Sequence, residues 1–201
     1  SGLDNGYLVG ANATISATSN VTSPSYTYQV KVGEGDFAAL EDNPYTFAAT
    51  GNYTFKVTAT GVEGSKTATQ TVMVYEPLTI YFVNKEGWEN VNAYFYTPEK
   101  TGWPGDPMSL TEATTAKHSY KVYSATIGAG AHANVIFNNG SAQTSDLTIN
   151  AAKPYYYDGE WYATLAECDA PVLTTNFYLA GSFNSWSTTA NRFMKENEDD
   201  D

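Results

Sequence analysis

Tyr53-Thr54-Phe55-Lys56-Val57-Thr58-Ala59-Thr60 alternates apolar and polar side chains along its whole length. A period of two sends alternate side chains to opposite faces, one toward a core and one toward water, so the stretch reads as a half-buried β-strand. The same period recurs upstream in Tyr26-Thr27-Tyr28-Gln29-Val30-Lys31-Val32 and downstream in Ala93-Tyr94-Phe95-Tyr96. Gly, Asn and Pro fall between such segments at intervals of roughly 8–12 residues, the spacing of short strands in β-sandwiches. No window sustains an i, i+3, i+4 apolar pattern, and the best helical candidate, Thr111–Lys117, is too short to matter. The fold class is all-β, with tandem β-sandwiches and a partial third β unit.

The 201 residues suffice for two domains of ordinary size. The first is expected over residues 1–77, with strands within Gly10–Ala17, Tyr26–Val32, Tyr45–Tyr53 and Thr67–Val74. Glu76-Pro77 marks a stiff junction, because proline offers no ladder donor and holds the preceding residue extended. The second is expected over residues 78–167, opening with Leu78-Thr79-Ile80-Tyr81-Phe82-Val83. Its later strands fall within Ser119–Thr126, Ala133–Phe137 and Tyr155–Tyr157, and Asp158-Gly159 makes the hairpin turn before Glu160-Trp161-Tyr162. Residues 168–201 are expected to be a linker, with Cys168 in it, and the start of a further domain.

The formal net charge is −12, and it is spread evenly. Basic and acidic residues number 3 and 7 over residues 1–77, 5 and 9 over 78–167, and 2 and 6 over 168–201, so each part is −4. With no basic face, a phosphate backbone or an anionic membrane surface is repelled, whereas a neutral ligand is not penalised. No stretch approaches the ~20 apolar residues that cross a bilayer, and a leader peptide is expected to lie outside this chain. The one cysteine, Cys168, forms no internal disulfide and has no metal or redox motif around it.

Several ordered pieces carry a resemblance in the central segment. They are Ile80-Tyr81-Phe82, the run Trp88-Glu89-Asn90-Val91-Asn92-Ala93-Tyr94-Phe95-Tyr96, then Trp103-Pro104-Gly105-Asp106-Pro107-Met108, Val135-Ile136-Phe137-Asn138-Asn139-Gly140 and Gln143-Thr144-Ser145-Asp146-Leu147. Together they resemble the family 26 starch-binding carbohydrate modules, with the related family 25 sharing the plan. The first segment is similar to bacterial immunoglobulin-like and polycystic-kidney-disease-type repeats. There Tyr53 would bury its ring and bond its hydroxyl to nearby backbone at a corner. The stretch Asn176-Phe177-Tyr178-Leu179-Ala180-Gly181-Ser182-Phe183-Asn184-Ser185-Trp186 is similar to the first hairpin of family 20 and 48 glucan-binding sandwiches.

The resemblance implies a non-catalytic binder of starch, amylose, amylopectin and malto-oligosaccharides, extracellular or attached to a cell surface and acting as a monomer. A glucan presents apolar C–H faces and hydroxyl edges, so its site needs exposed rigid rings and a few polar groups. Tyr94 and Tyr96 share one face of their strand, opposite Ala93 and Phe95, and are set about 7 Å apart by strand geometry. Trp103, in a loop stiffened by Pro104, would close the end of that platform; in the family these three rings form the cradle. Gln143 and Thr144 are candidate hydrogen-bonding groups beside it, balanced against a turn role. Trp186 would face sugar in a complete family 48-like module. Trp88 and Trp161 are assigned to the core, and Asn138 and Asn139 to a turn. Burying about 150 Å² of ring surface is worth roughly 4 kcal/mol before costs and a few hydrogen bonds add ~1 kcal/mol each at most, which implies a Kd of ~10 μM to 1 mM.

Other chemistry finds little support. His118 and His132 have no acidic or cysteine neighbour at ligand spacing. No acid–base carboxylate pair, nucleophile motif or phosphate loop is recognisable, so neither an enzyme nor a cofactor is expected. The acidic run Glu196–Asp201 lacks the glycine and the alternation of a calcium loop. The alternative is an adhesive or structural stalk, in which the aromatics would serve protein contacts; a buried Trp103 would count for it.

Overall fold

The computed structural model describes residues 3, 4 and 6–170, together with the backbone of two short strands nearer the C-terminus. The first unit contains β1 (Gly6–Leu8), β2 (Asn12–Ala13), β3 (Ser25–Val32), β4 (Ala38–Ala39), β5 (Tyr45–Thr46), β6 (Gly51–Gly61) and β7 (Gly64–Tyr75). Its main sheet has the order β1-β7-β6-β3-β4, and the β2–β5 pair forms a small second layer. The alternation in β6 sends Tyr53 and Phe55 inward, onto Phe47, Val72 and Val74. Tyr53 is 2 % exposed; its hydroxyl donates to the Ala49 carbonyl at 2.9 Å and accepts from the Ala49 amide at 3.3 Å. The stretch Tyr45–Tyr53 is not one strand: it breaks after Thr46, the chain turns through Phe47–Thr50, and β6 begins at Gly51.

The second unit follows after a single residue. β7 ends at Tyr75, and β8 (Pro77–Val83) begins beyond Glu76. The unit continues with β9 (Asn92–Tyr96), β10 (Asp106–Pro107), β11 (Ser109–Thr114), β12 (Lys121–Gly128), β13 (Asn134–Asn138), β14 (Leu147–Thr148), β15 (Tyr155–Tyr157) and β16 (Glu160–Tyr162). One sheet has the order β10-β9-β13-β14 and the other β11-β12-β8-β15-β16. Ile80, Phe82, Phe95, Val135 and Phe137 fill the space between them, with Trp88 and Trp161 packed at its edge. Asp158 and Gly159 both have positive φ (48° and 93°), the geometry of the tight hairpin turn expected there.

No helix occurs among the described residues. The helical candidate Thr111–Lys117 is instead the end of strand β11 and the turn after it. β11 pairs with β12, and the Thr111 hydroxyl donates to the Val122 carbonyl at 2.9 Å. A threonine-rich edge strand with a neighbour to pair with gains a ladder that an isolated turn of helix lacks.

The second unit also extends past residue 167. Cys168, expected in a linker, is 1 % exposed and packs with Val83 and Val122 beneath a layer of tyrosines on the outer face of the second sheet. Burial pushes its thiol up to about 11, as suits an inert, structural cysteine. The Asp169 carboxylate accepts from the Thr115 hydroxyl at 2.9 Å, the His118 amide at 2.8 Å and the His118 ring. His118 therefore does have an acidic partner, 51 residues further along the chain. Burial alone would raise the Asp169 carboxyl, but the donors around it win and hold it below the ordinary value.

Tyr157 lies against this cluster. Burial first, and the Asp169 charge second, push its phenol up to about 12. A phenol raised on folding contributes stability that is complete below about pH 10 and lost as the pH climbs through its folded value. Alkaline titration followed at 295 nm is expected to show a late tyrosine component near pH 12 that shrinks in Tyr157→Phe. An unchanged late component in that variant would count against this assignment.

Beyond residue 170, β17 (Phe177–Tyr178) pairs antiparallel with β18 (Arg192–Met194). Trp186, the further candidate ligand residue, lies outside the described residues.

Candidate functional site

Strand β9 is paired on both edges, with β10 on one side and β13 on the other. Its alternation therefore has a fixed sense. Ala93 and Phe95 are 0 % and 1 % exposed in the core, and Tyr94 and Tyr96 stand half-buried on the opposite face. The two phenol rings are stacked, with centroids 5.5 Å apart and an interplanar angle of 18°. That is closer than the ~7 Å repeat of the strand itself, so the rings lean together. Ile136, directly across β13 from Tyr94, is 8 % exposed and within reach to back its ring.

Trp103 completes the surface. Its ring meets Tyr94 edge-on, with centroids 5.5 Å apart and planes at 65°, and it is 49 % exposed. The ring is therefore open to a ligand rather than buried. The loop carrying Trp103 is fastened to the sheet at two points and closed by a bond of its own. Gly105, at φ +91°, lies so close to β9 that an added Cβ would sit 2.3 Å from the Ala93 carbonyl oxygen. The Gly105 amide donates to the Gly102 carbonyl at 2.9 Å. Asn138, fully buried at the end of β13, donates from Nδ2 to the Pro104 carbonyl at 2.9 Å, and its Oδ1 accepts from the Gly140 amide at 3.0 Å.

The polar frame of the platform is acidic. The Tyr94 hydroxyl donates to Glu99 Oε1 at 2.9 Å. That bond, followed by burial, raises the Tyr94 phenol. Burial first, then the Asp146 carboxylate, raises Tyr96. Both rings remain neutral well above physiological pH, and their hydroxyl oxygens keep lone pairs free to accept.

The other candidates are placed differently. Gln143 is exposed and bridges to Asn138, which puts it one residue pair from the Trp103 loop. Thr144 is committed locally: its hydroxyl accepts from the Phe137 amide at 3.1 Å and donates to the Ser145 carbonyl at 3.0 Å. Both residues also line a cavity of about 320 Å³ with Trp88 and the Lys85–Asp158 ion pair. The three rings are thus assembled as one surface, while Thr144 serves its turn. Asn138 does more than the turn assigned to it, and no local pattern marks this, because its partner Pro104 is 34 residues away.

Residues 80–149 match the family described as starch-binding module 26. Over 100 residues, 47 % of this chain, the sequence is 36 % identical to an alpha-amylase of Butyrivibrio fibrisolvens, of which the match covers 8 %. The chain thus spans less than a tenth of that relative's length. No solved structure gives a significant match.

Proposed function

We propose that this chain binds α-1,4-glucan, as starch, amylose, amylopectin or malto-oligosaccharide, on the platform of Tyr94, Tyr96 and Trp103, without catalysing its cleavage. The observation that carries this reading is the exposed Trp103 ring set edge-on to a stacked tyrosine pair, inside a segment that matches starch-binding module 26. Stacking takes up the apolar sugar face. Glu99 and Asp146 beside the rings supply acceptors for hydroxyls, and the exposed Gln143, beyond the Trp103 loop, is the candidate donor. The module works outside the cell, in a larger secreted or surface-attached protein that degrades or adheres to starch. The first unit is an immunoglobulin-like domain. A single weak platform gains most when repeated along one chain, which fits a multi-domain parent.

Isothermal titration of the whole chain with maltoheptaose tests this. A Kd between about 10 μM and 1 mM is expected for the native chain, with loss of measurable heat in Trp103→Ala. A folded native chain that gives no heat would overturn the reading and favour a structural stalk.

A further inference from the structure

The two units are sutured together. Only Glu76 separates β7 from β8, and its carbonyl accepts from the Ala129 amide of the second unit at 2.8 Å. Within the first unit, the Tyr75 carbonyl accepts from the Val9 amide at 3.0 Å, which fixes the end of β7. Gly128 lies so close to Tyr75 that an added Cβ would sit 2.6 Å from that side chain's own Cβ. Domains joined only as spacers move relative to one another by default. The Glu76–Ala129 bond and the Tyr75–Gly128 approach hold this junction, and beside it a cleft of about 820 Å³ runs between the units. That volume is within the ~300–1,000 Å³ range of small-molecule sites.

We propose that this cleft is a second carbohydrate subsite, which takes the continuation of the glucan chain held on the aromatic platform. The inference rests on the platform reading given above. Its first support is continuity. Glu99 lines the cleft and also accepts the hydrogen bond from Tyr94, so platform and cleft share a residue. The second is the chemistry of the walls. Tyr7 and Tyr75 come from the first unit and supply half-buried rings. Facing them are Glu99, Thr101 and His132 of the second. His132 binds the Pro98 carbonyl through Nδ1 at 2.6 Å, which leaves its other ring nitrogen for a ligand.

Thr101, which lines the cleft, carries a buried hydroxyl with no hydrogen-bond partner. The charges present do not favour an anion: Asp4 and Glu99 are acidic, and Lys100 is already paired with Asp106. Rings, hydroxyl-binding groups and no cationic surplus together select a neutral polyhydroxylated ligand. The first unit then contributes part of the site and is more than a spacer.

The test is a titration of the whole chain with maltotriose and with maltoheptaose, in native, Trp103→Ala, Ala131→Trp and Thr126→Trp forms. Ala131 and Thr126 line the cleft away from the platform rings, so a tryptophan at either position fills it. Register counting alone favours the longer sugar by about fivefold. The native chain is expected to exceed that ratio by about an order of magnitude. The filled-cleft variants are expected to fall back to the register ratio with maltotriose affinity unchanged, and Trp103→Ala to lose both sugars. Thermal unfolding identifies any variant that has not folded, and either filling variant alone decides the question. The inference fails if a folded filled-cleft chain keeps the full length advantage, or if the native ratio is only the register ratio. Binding of both sugars that survives in Trp103→Ala would overturn the platform reading itself.

Discussion

Gly105→Ala is expected to destabilise the second unit by about 3 kcal/mol or more and to abolish maltoheptaose binding. Two costs combine. At φ +91° the backbone sits where L-residues rarely go, at a cost on the order of 1–2 kcal/mol. The new Cβ would also lie 2.3 Å from the Ala93 carbonyl oxygen and 2.6 Å from Tyr94 Cα, both backbone atoms of β9 that no rotamer change can clear. Strands β9 and β10 must separate, and β9 carries Tyr94 and Tyr96. Gly102→Ala is the matched control. That glycine is in the same loop, has an ordinary φ and has nothing within 4 Å of an added Cβ, so it should unfold like the native chain. Urea unfolding of both variants, read with maltoheptaose titration, checks this. Equal behaviour of the two would mean that the Trp103 loop is not held against β9 as described.

The contrast between these two glycines also indicates what a sequence can disclose. Alternation put Tyr94 and Tyr96 together on an outward face, because side-chain direction in a strand depends only on parity. The resemblance of the central segment supplied Trp103. Neither parity nor motif distinguishes Gly105 from Gly102, because the distinction lies in a backbone approach between strands. The same holds for Asp169. Its partners Thr115 and His118 lie more than 50 residues earlier, and a short stretch after a last strand looks like a linker until its contacts are known. Thr111–Lys117, too short a helical pattern to matter in the sequence, is strand and turn because β12 is there to pair with it. The cleft depends on how two separately legible units are set against each other, and no single segment encodes that.

Asn138→Ala is expected to cost about 2–4 kcal/mol of stability and to weaken maltoheptaose binding by about tenfold under conditions where the chain remains folded. The side chain is fully buried and satisfies two backbone groups, the Pro104 carbonyl and the Gly140 amide. Truncation leaves both without their partner in a site closed to water, and each such loss costs about 1–3 kcal/mol. Asn138 touches no sugar in this scheme. It acts through Trp103, whose neighbouring carbonyl it holds, and so it is a positioning residue. Asn138→Asp separates the two halves of its role. A carboxylate can still accept from Gly140 but cannot donate to Pro104, so the hairpin turn keeps its bond while the Trp103 loop loses its anchor. If Asn138 only stabilised the fold, affinity would be unchanged in every variant measured below its unfolding temperature. If it positions the ring, affinity falls in Asn138→Asp as in Asn138→Ala, and the Trp103 indole NMR signal broadens in both, because the edge-on contact with Tyr94 depends on a loop that is no longer tied down.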